Sequence, residues 1–252
     1  MIKFFRKIRQ NLLSEGKTGK TGKYMKYALG EIVLVVIGIL IALQINNWNE
    51  KRKRHVQADN FLKSMISDLA SDTVTINTYV KFLDRLSYNR ATLLNTQTVK
   101  NIPIDSLIDL FQPRYDEIKI NDQTFQKMKS IGLIELPNHK NLMDSITFYY
   151  TRDNDMFNSN INWEVEFSKK DAEFWYYNKF FESPYLSDEF TYLDSELRRK
   201  SIFDSLINTV EVKNRIRTSL FRKRHTKNAV LNAKEKSADL ILLIKESLDA
   251  DN

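Results

Sequence analysis

The strongest pattern along this chain is an apolar run close to its N-terminus. Residues 28–45 read ALGEIVLVVIGILIALQI, and 12 of these 18 residues are Leu, Ile or Val, with Glu31 as the only formal charge. An α-helix from Tyr24 to Ile45 is roughly 33 Å long, which is enough to cross the hydrocarbon core of a bilayer. The aliphatic side chains favour insertion by about 4–6 kcal/mol, whereas one Glu near the edge costs at most about 2.5 kcal/mol. The pattern predicts a transmembrane helix over residues 24–46, with Trp48 as its interfacial anchor.

Helical periodicity continues after this run. Nothing breaks a helix between Lys23 and Asn95, so the membrane helix is predicted to continue directly into the next one and to form a rod. A seam of steps of four and three residues follows, which is typical of a packed helix. Its positions are Leu62, Ile66, Leu69, Thr73, Ile76, Val80 and Leu83. The last helix, about 227–248, also has an apolar stripe and is predicted to pack against the helix over 60–95.

The distribution of glycine and proline predicts an all-α chain. From residue 47 onward there is one glycine, Gly132, and the four prolines lie at 103, 113, 137 and 184. A β-rich domain of this size needs more turn residues. The predicted helices are 104–111, a segment capped by 121–122, a long helix over 141–181, a short one over 187–193 and a final pair capped by Ser195. Residues 47–252 are therefore predicted to form one helical extracytoplasmic domain.

The net charge of +7 is concentrated beside the membrane segment. Residues 1–27 carry eight Lys or Arg against Glu15, whereas residues 55–252 sum to −2. The large C-terminal part thus lacks the overall basic excess of a nucleic-acid-binding protein. The positive-inside rule places the N-terminus in the cytoplasm and the helical domain in the periplasm, although the basic run 51–54 opposes this orientation. We expect a single-pass protein of a bacterial inner membrane.

The tail over residues 1–23 has two interpretations. Ile2, Phe5, Ile8 and Leu12 recur at helical spacing among cations, which favours an amphipathic helix bound to the anionic inner leaflet. A disordered tail that only sets the topology is the alternative. A cleaved signal peptide is a further alternative for the apolar run, but no small-x-small cleavage site follows Leu43.

The sequence contains no motif that indicates catalysis. The repeat GKTGKTGK at residues 16–23 lacks the glycine five places before GK that a phosphate-binding loop requires, so no nucleotide is expected. The three histidines are far apart and cysteine is absent, so no metal site is expected. Since no hydrolase, zinc-protease or dinucleotide fingerprint occurs either, we expect a protein that is not an enzyme and uses no cofactor.

Two groups of residues are candidate contact sites. Within the membrane helix, Glu31 is a costly carboxylate, and Gly38 with Ala42 forms a small-x-x-x-small pair that lets two helices approach. Glu31 lies one turn inside the interface, so pairing with headgroups or with Lys23 or Lys26 is the alternative. The segment 148–192 holds 15 of the 29 aromatic residues, most of them expected in the core. The candidate partner surface consists of Trp175, Tyr176, Tyr177 and Tyr185.

Two stretches carry a resemblance to a known family. Residues 5–49, with SEGKTGK and KYALGEIVLVVIGILIALQINNWNE, resemble the signature of an uncharacterised family of single-span membrane proteins abundant in Bacteroidota. Residues 124–150, TFQKMKSIGLIELPNHKNLMDSITFYY, are similar to its internal block of a helix, a glycine turn and a second helix. The family is a domain of unknown function, so the resemblance implies a topology and a fold but no site residues.

Two functions are compatible with these patterns. The first is a membrane-anchored scaffold whose helical domain binds a protein partner or a second copy of itself. The second is an extracytoplasmic sensor or ligand-binding module with a pocket among the aromatic helices. The short N-terminal tail, which is too small for an output domain, favours the scaffold.

Overall fold

The computed structural model describes residues 20–133, 140–182 and 191–250. Within these ranges all regular secondary structure is helical and no β-strand occurs, which confirms the all-α prediction. The chain divides between Ala58 and Asp59 into two compact units, and each is described by itself. Predictions for residues 1–19, including the amphipathic tail helix, lie outside the described ranges.

The first helix, α1, runs from Lys20 to Leu94 and contributes to both units. In the first unit its aliphatic side chains are exposed on all sides, as Leu29 and Ile45 illustrate with exposures of 59% and 61%. A helix this long and apolar is a candidate membrane span. Trp48 follows the apolar run, and its ring lies 5.9 Å from the Arg52 guanidinium carbon. The predicted helical continuity through residues 46–62 is confirmed.

In the second unit, α1 buries one side in a strict heptad pattern. The buried positions are Leu62, Met65, Leu69, Asp72, Ile76, Tyr79, Leu83, Leu86, Arg90 and Leu93. Half of the predicted seam is thus confirmed, but Ile66, Thr73 and Val80 are only half-buried, and the residue before each one is buried instead. A seam of this kind packs against one facing helix.

That facing helix is α8, Val210–Ala250. Apart from Arg222, its buried positions also repeat every seven residues, and they are Val212, Ile216, Ser219, Lys223, Thr226, Val230, Ala233, Ser237, Leu240 and Ile244. Polar contacts to α1 occur in reverse order along the two helices: Arg90 with Ser219, Asp84 with Lys227 and the Leu69 carbonyl with Ser237. The helices therefore pack antiparallel; the sequence predicts that 60–95 and 227–248 pack against each other but not their relative direction.

Shorter helices complete the second unit. After Asn95 follow α2 (Thr96–Lys100), α3 (Ile104–Phe111), α4 (Gln123–Ser130), α5 (Lys140–Phe148), α6 (Asn154–Tyr176) and α7 (Glu196–Ile207). A π-helical turn, Tyr149–Asp153, joins α5 to α6, so the predicted long helix over 141–181 is interrupted there and ends at Tyr176. Gly132 has φ +70°, the left-handed conformation expected of the turn after α4. Ser195 caps α7 by accepting a hydrogen bond from the Arg198 N–H.

The second unit has two apolar cores. The larger one lies between α1, α4, α5, α6 and α8, and the smaller one joins the end of α1 to α3, α7 and the start of α8. The smaller core is rich in rings, since Phe111, Trp175, Phe181 and Phe203 contact one another. The boundary between the two cores is polar, and it contains the candidate site. Of the predicted helix over 187–193, only residues 191–193 are described, and they are not helical.

Candidate functional site: a buried ionic cluster beneath an exposed aromatic surface

A group of charged side chains is buried where α6 packs against α8. The ionic cluster consists of Glu164, Ser168 and Asp171 on α6 and of Arg222 and Lys223 on α8. Glu164, Arg222 and Lys223 have side chains that are only 1–2% exposed. These positions follow the helical spacing of the buried residues, so the apolar side chains around them exclude water from the charges.

The geometry of the cluster satisfies both cations. Lys223 Nζ lies 2.5 Å from Glu164 Oε1, which also accepts a hydrogen bond of 2.9 Å from the Ser168 hydroxyl. Arg222 Nε lies 3.3 Å from Glu164 Oε2, and its Nη2 lies 2.7 Å from an oxygen of Asp171. Buried charges of this kind are tolerated only when paired and hydrogen-bonded.

The electrostatic balance of the cluster is visible at Lys223. Burial lowers the pKa of this lysine to about 8, the Glu164 carboxylate opposes the shift, and the positive charges of Arg90 and Arg222 add to it. Because the side chain is almost fully buried, it cannot reach a substrate in solution. The arrangement therefore connects α6 to α8 and fixes how the two helices pack.

Arg90, near the end of α1, connects α8 next to the ionic cluster with the end of α3. Its Nε lies 3.4 Å from the Ser219 hydroxyl, and its two terminal nitrogens donate to the carbonyl oxygens of Leu110 and Gln112. A cavity of about 10 Å³ lies beside it, against Trp175, and is large enough for one water molecule. The end of α1, the loop after α3 and α8 are thereby held together by one guanidinium group.

Four rings form an aromatic surface above the ionic cluster: Trp163 and Phe167 on α6, and Phe221 and His225 on α8. Trp163 contacts the other three at centroid distances of 5.6–6.4 Å, and Phe221 lies 6.0 Å from His225. Phe221 is 61% exposed, although it lies next to the buried Arg222. The Arg222 guanidinium lies 5.4 Å from the Phe167 ring, so the buried cluster supports the rings from below.

A second polar cluster lies where α4 and the π-helical turn meet α1. The Asp72 carboxylate accepts the Asn121 N–H at 3.0 Å, and Asp68 accepts the Thr124 hydroxyl at 2.5 Å. Burial raises the pKa of Asp72 to about 6, which the Asn121 N–H opposes and Asp68 reinforces. The Tyr150 ring stacks on Phe125, and burial raises the pKa of its hydroxyl above the ordinary range. These contacts fix the start of α4 on α1.

The predicted partner surface is only partly a surface. The prediction that Trp175 belongs to this surface is wrong, because the residue is only 4% exposed. Its large apolar ring is buried in the smaller core, where it contacts Phe111 and Phe203. Tyr176 and Tyr177 are 41% and 81% exposed, whereas Tyr185 lies outside the described residues.

The predicted membrane-helix contacts all lie on the exposed apolar part of α1. Glu31, Gly38 and Ala42 are exposed, and a Cβ at Gly38 would meet no atom within 4 Å. Contacts of these residues with a second helix remain a prediction. In the described ranges no group of three His, Cys, Asp or Glu side chains could hold a metal ion.

The sequence analysis missed the aromatic surface and the charges beneath it. A local signal was available, because residues 212–234 contain eight Lys or Arg and no carboxylate. Summing charge over the whole C-terminal part concealed this run. Trp163 and Phe221 lie on different helices 58 positions apart, so their contact requires knowledge of how α6 packs on α8.

The fold and the site together define an all-helical protein with one candidate membrane span in its described residues. Residues 31–152 match the model of a family of unknown function, DUF6090. This agrees with the resemblance to an uncharacterised family, while the single-span topology and the bacterial distribution stay predictions. No curated protein and no solved structure matches the chain. The matched residues contain the second polar cluster, whereas the ionic cluster on α6 and α8 follows them.

Proposed function

We propose that the protein is a non-catalytic interaction protein of a bacterial inner membrane, whose helical domain binds a protein partner or a second copy in the periplasm. The exposed apolar segment of α1 supports the anchor. The eight cations in residues 1–27 support an N-terminus in the cytoplasm, held at anionic lipids of the inner leaflet.

The aromatic surface is the observation that carries this proposal. Aromatic residues are enriched in protein interfaces and supply most of the energy at their hot spots. Here Trp163 and Phe221 lie on two long helices whose mutual position is fixed by the ionic cluster, so little entropy is lost when a partner binds. The Phe221 ring is 61% exposed, so most of it does not pack in the described core.

A ligand-binding sensor receives less support. The cavity next to Trp175 has a volume of about 10 Å³, far below the several hundred Å³ of a small-molecule pocket. The aromatic residues of the smaller core fill their space by contacting one another. The cavity among these rings therefore gives the sensor function no support.

Reporter fusions test the topology. Alkaline phosphatase fused after Arg54 or at Asn252 should be active, and a reporter that works only in the cytoplasm should be silent there. The reverse pattern would place the helical domain in the cytoplasm and refute the periplasmic part of the proposal.

Photocrosslinking in the native membrane tests the binding function. A photoreactive phenylalanine at Phe221 should give one discrete protein adduct, which is another protein or a second copy, whereas the same group at Phe180 should not. Phe180 is a suitable control because it is also highly exposed, at 77%, but follows the end of α6 and is not one of the four rings of the aromatic surface. Absence of a specific adduct at both Phe221 and Trp163 would refute this surface as a binding site.

A further inference from the structure

The charge on α8 indicates what kind of partner fits the aromatic surface. Between Val212 and Lys234 the helix has eight cations and no carboxylate. Such a density of one charge on one helix creates a positive potential that attracts acidic groups. Only the cations that are not neutralised within the chain contribute to this potential.

Four of the eight cations have acidic partners on other turns or helices, and two more, Lys213 and Lys234, are half-buried. Arg222 and Lys223 are neutralised in the ionic cluster, Lys227 lies 2.6 Å from an oxygen of Asp84, and Arg215 lies 3.2 Å from Glu211. Two others differ. In the described part of the chain, Arg217 and Arg224 are exposed and form no ion pair.

These two arginines lie on the face of α8 that carries the rings. Arg217, Phe221 and Arg224 are spaced by four and three residues, so they form one stripe on the helix surface. On the other side of this stripe, Arg224 lines an open groove of about 440 Å³ between α8 and α1. Tyr88, 70% exposed, also lines the groove and adds a further ring.

Neighbouring carboxylates do not cancel this charge. Asp84 is paired with Lys227 at 2.6 Å, and Glu166, next to the rings on α6, is paired with Lys170 at 2.8 Å. The Lys170 ammonium group lies 4.5 Å from the Phe167 ring, so even this pair presents a cation to the aromatic surface. The face as a whole combines apolar rings with unbalanced positive charge.

We propose that the aromatic surface, with Arg217 and Arg224, binds an acidic segment of a partner protein that also carries an aromatic or aliphatic anchor. This rests on the proposed function and specifies its partner. Charge complementarity selects an acidic segment, and the rings require an apolar side chain to displace water between them. The rings of Trp163 and Phe221 lie edge to face with each other, so they do not present the parallel open faces on which successive bases stack.

Selection from a random peptide library tests this partner chemistry. The full chain is embedded in nanodiscs of zwitterionic lipid, and displayed short peptides are selected on it at low ionic strength. The enriched peptides should carry net negative charge and at least one aromatic or aliphatic residue, and raising the salt should weaken their binding. Phe221→Ala and Arg224→Glu should each weaken the best peptide about tenfold or more.

Matched variants and competitors separate the outcomes. Phe180→Ala and Lys245→Glu alter an exposed ring and an exposed cation elsewhere, and they should leave binding unchanged. Neutral or basic peptides, no enrichment, or equal binding to Phe221→Ala would overturn the inference. Tighter, Arg224-dependent binding of phosphatidylglycerol vesicles or of a single-stranded oligonucleotide would also overturn it. A neutral or basic segment mapped in the Phe221 adduct would refute this partner but leave the proposed function standing.

Discussion

Lys223 Nζ lies 2.5 Å from a carboxylate oxygen of Glu164, and both side chains are 1% exposed. The pair connects α8 to α6 at the boundary between the two apolar cores. Removing one member of such a pair leaves the other charge buried without its partner, which costs much more than replacing both members by apolar residues. The pair therefore contributes more to the position of α6 on α8 than to net stability.

A double-mutant cycle measures this relationship. Glu164→Gln should lower the free energy of unfolding by about 3–5 kcal/mol, because Lys223 and Arg222 then lose a negative partner. The double variant Glu164→Gln with Lys223→Met should lose clearly less free energy of unfolding than the sum of the losses in the two single variants. Denaturant unfolding of the detergent-solubilised full chain, followed by circular dichroism, gives these values.

The control for this cycle is an exposed pair on the same helix. Glu166→Gln removes the partner of Lys170, and both of these side chains are more than half exposed, so little or no change in stability is expected. If Glu164→Gln were as mild as Glu166→Gln, the buried cluster would not hold the two helices together.

Asp72 should make stability depend on pH. Its pKa in the folded chain is about 6, above the ordinary value of 3.8, so its contribution to stability is complete below about pH 3.8 and is lost as the pH rises through 6. Asp72→Asn keeps an oxygen that accepts the Asn121 N–H but carries no charge. The variant should be more stable than the wild type at pH 8, by at most about 3 kcal/mol, and have no advantage near pH 4.

Thermal unfolding of the full chain between pH 4 and pH 8 checks this prediction. Asp239→Asn, which removes a charge from an exposed position of α8, is the control and should not reproduce the pH-dependent gain. Parallel pH profiles for the wild type and Asp72→Asn would show that Asp72 does not titrate in this range.

Trp175 and Tyr177 should behave in opposite ways when truncated. Trp175→Ala leaves a large cavity among the rings of the smaller core and should cost about 3–5 kcal/mol, with faster amide exchange in α3 and α7. Tyr177→Ala removes an 81% exposed ring and should change stability by less than about 0.5 kcal/mol. Hydrogen exchange detected by mass spectrometry distinguishes the two, and a mild Trp175→Ala would contradict its role in the core.

Substituting proline for two exposed valines of α1 tests which part of this helix the folded domain requires. Val56→Pro should cost about 3 kcal/mol locally and leave the heptad helices folded, because it precedes the buried seam. Val74→Pro interrupts the seam between Asp72 and Ile76 and should abolish cooperative unfolding of the domain. Limited proteolysis of membrane vesicles reports both outcomes, and if Val56→Pro also prevents partner binding, mechanical coupling through α1 gains support.

The fold class could be predicted because glycine, proline and apolar periodicity all favoured helices. The seam of α1 was only half right for a physical reason: from Leu62 an alternation of three and four residues can begin with either Met65 or Ile66. Apolar side chains alone favoured Ile66, since the other choice places Asp72 inside. A buried Asp72 becomes acceptable only because the Asn121 N–H donates a hydrogen bond to its carboxylate, and this partner is 49 positions away in sequence.

The candidate site was less accessible to sequence reasoning. Glu164 and Asp171 follow the helical spacing of α6, but their partners on α8 are more than 50 positions away. Most rings of residues 148–192 were expected in the core, which is correct for Phe157 but not for Phe180, and no prediction was made for Phe221, which lies outside that segment. Only the packing of α6 on α8 decides which rings are left in solvent.

The antiparallel pairing of α1 with α8 has a consequence for how the chain is made. Arg90 and Ser219 are 129 positions apart, and Leu69 and Ser237 are 168 positions apart. The ribosome must therefore synthesise most of the polypeptide before the heptad seam of α1 meets its partner, and contacts over such separations form slowly. Until then the nascent chain presents an apolar stripe from Leu62 onward, and a chaperone that shields this stripe would determine how much protein reaches the folded state.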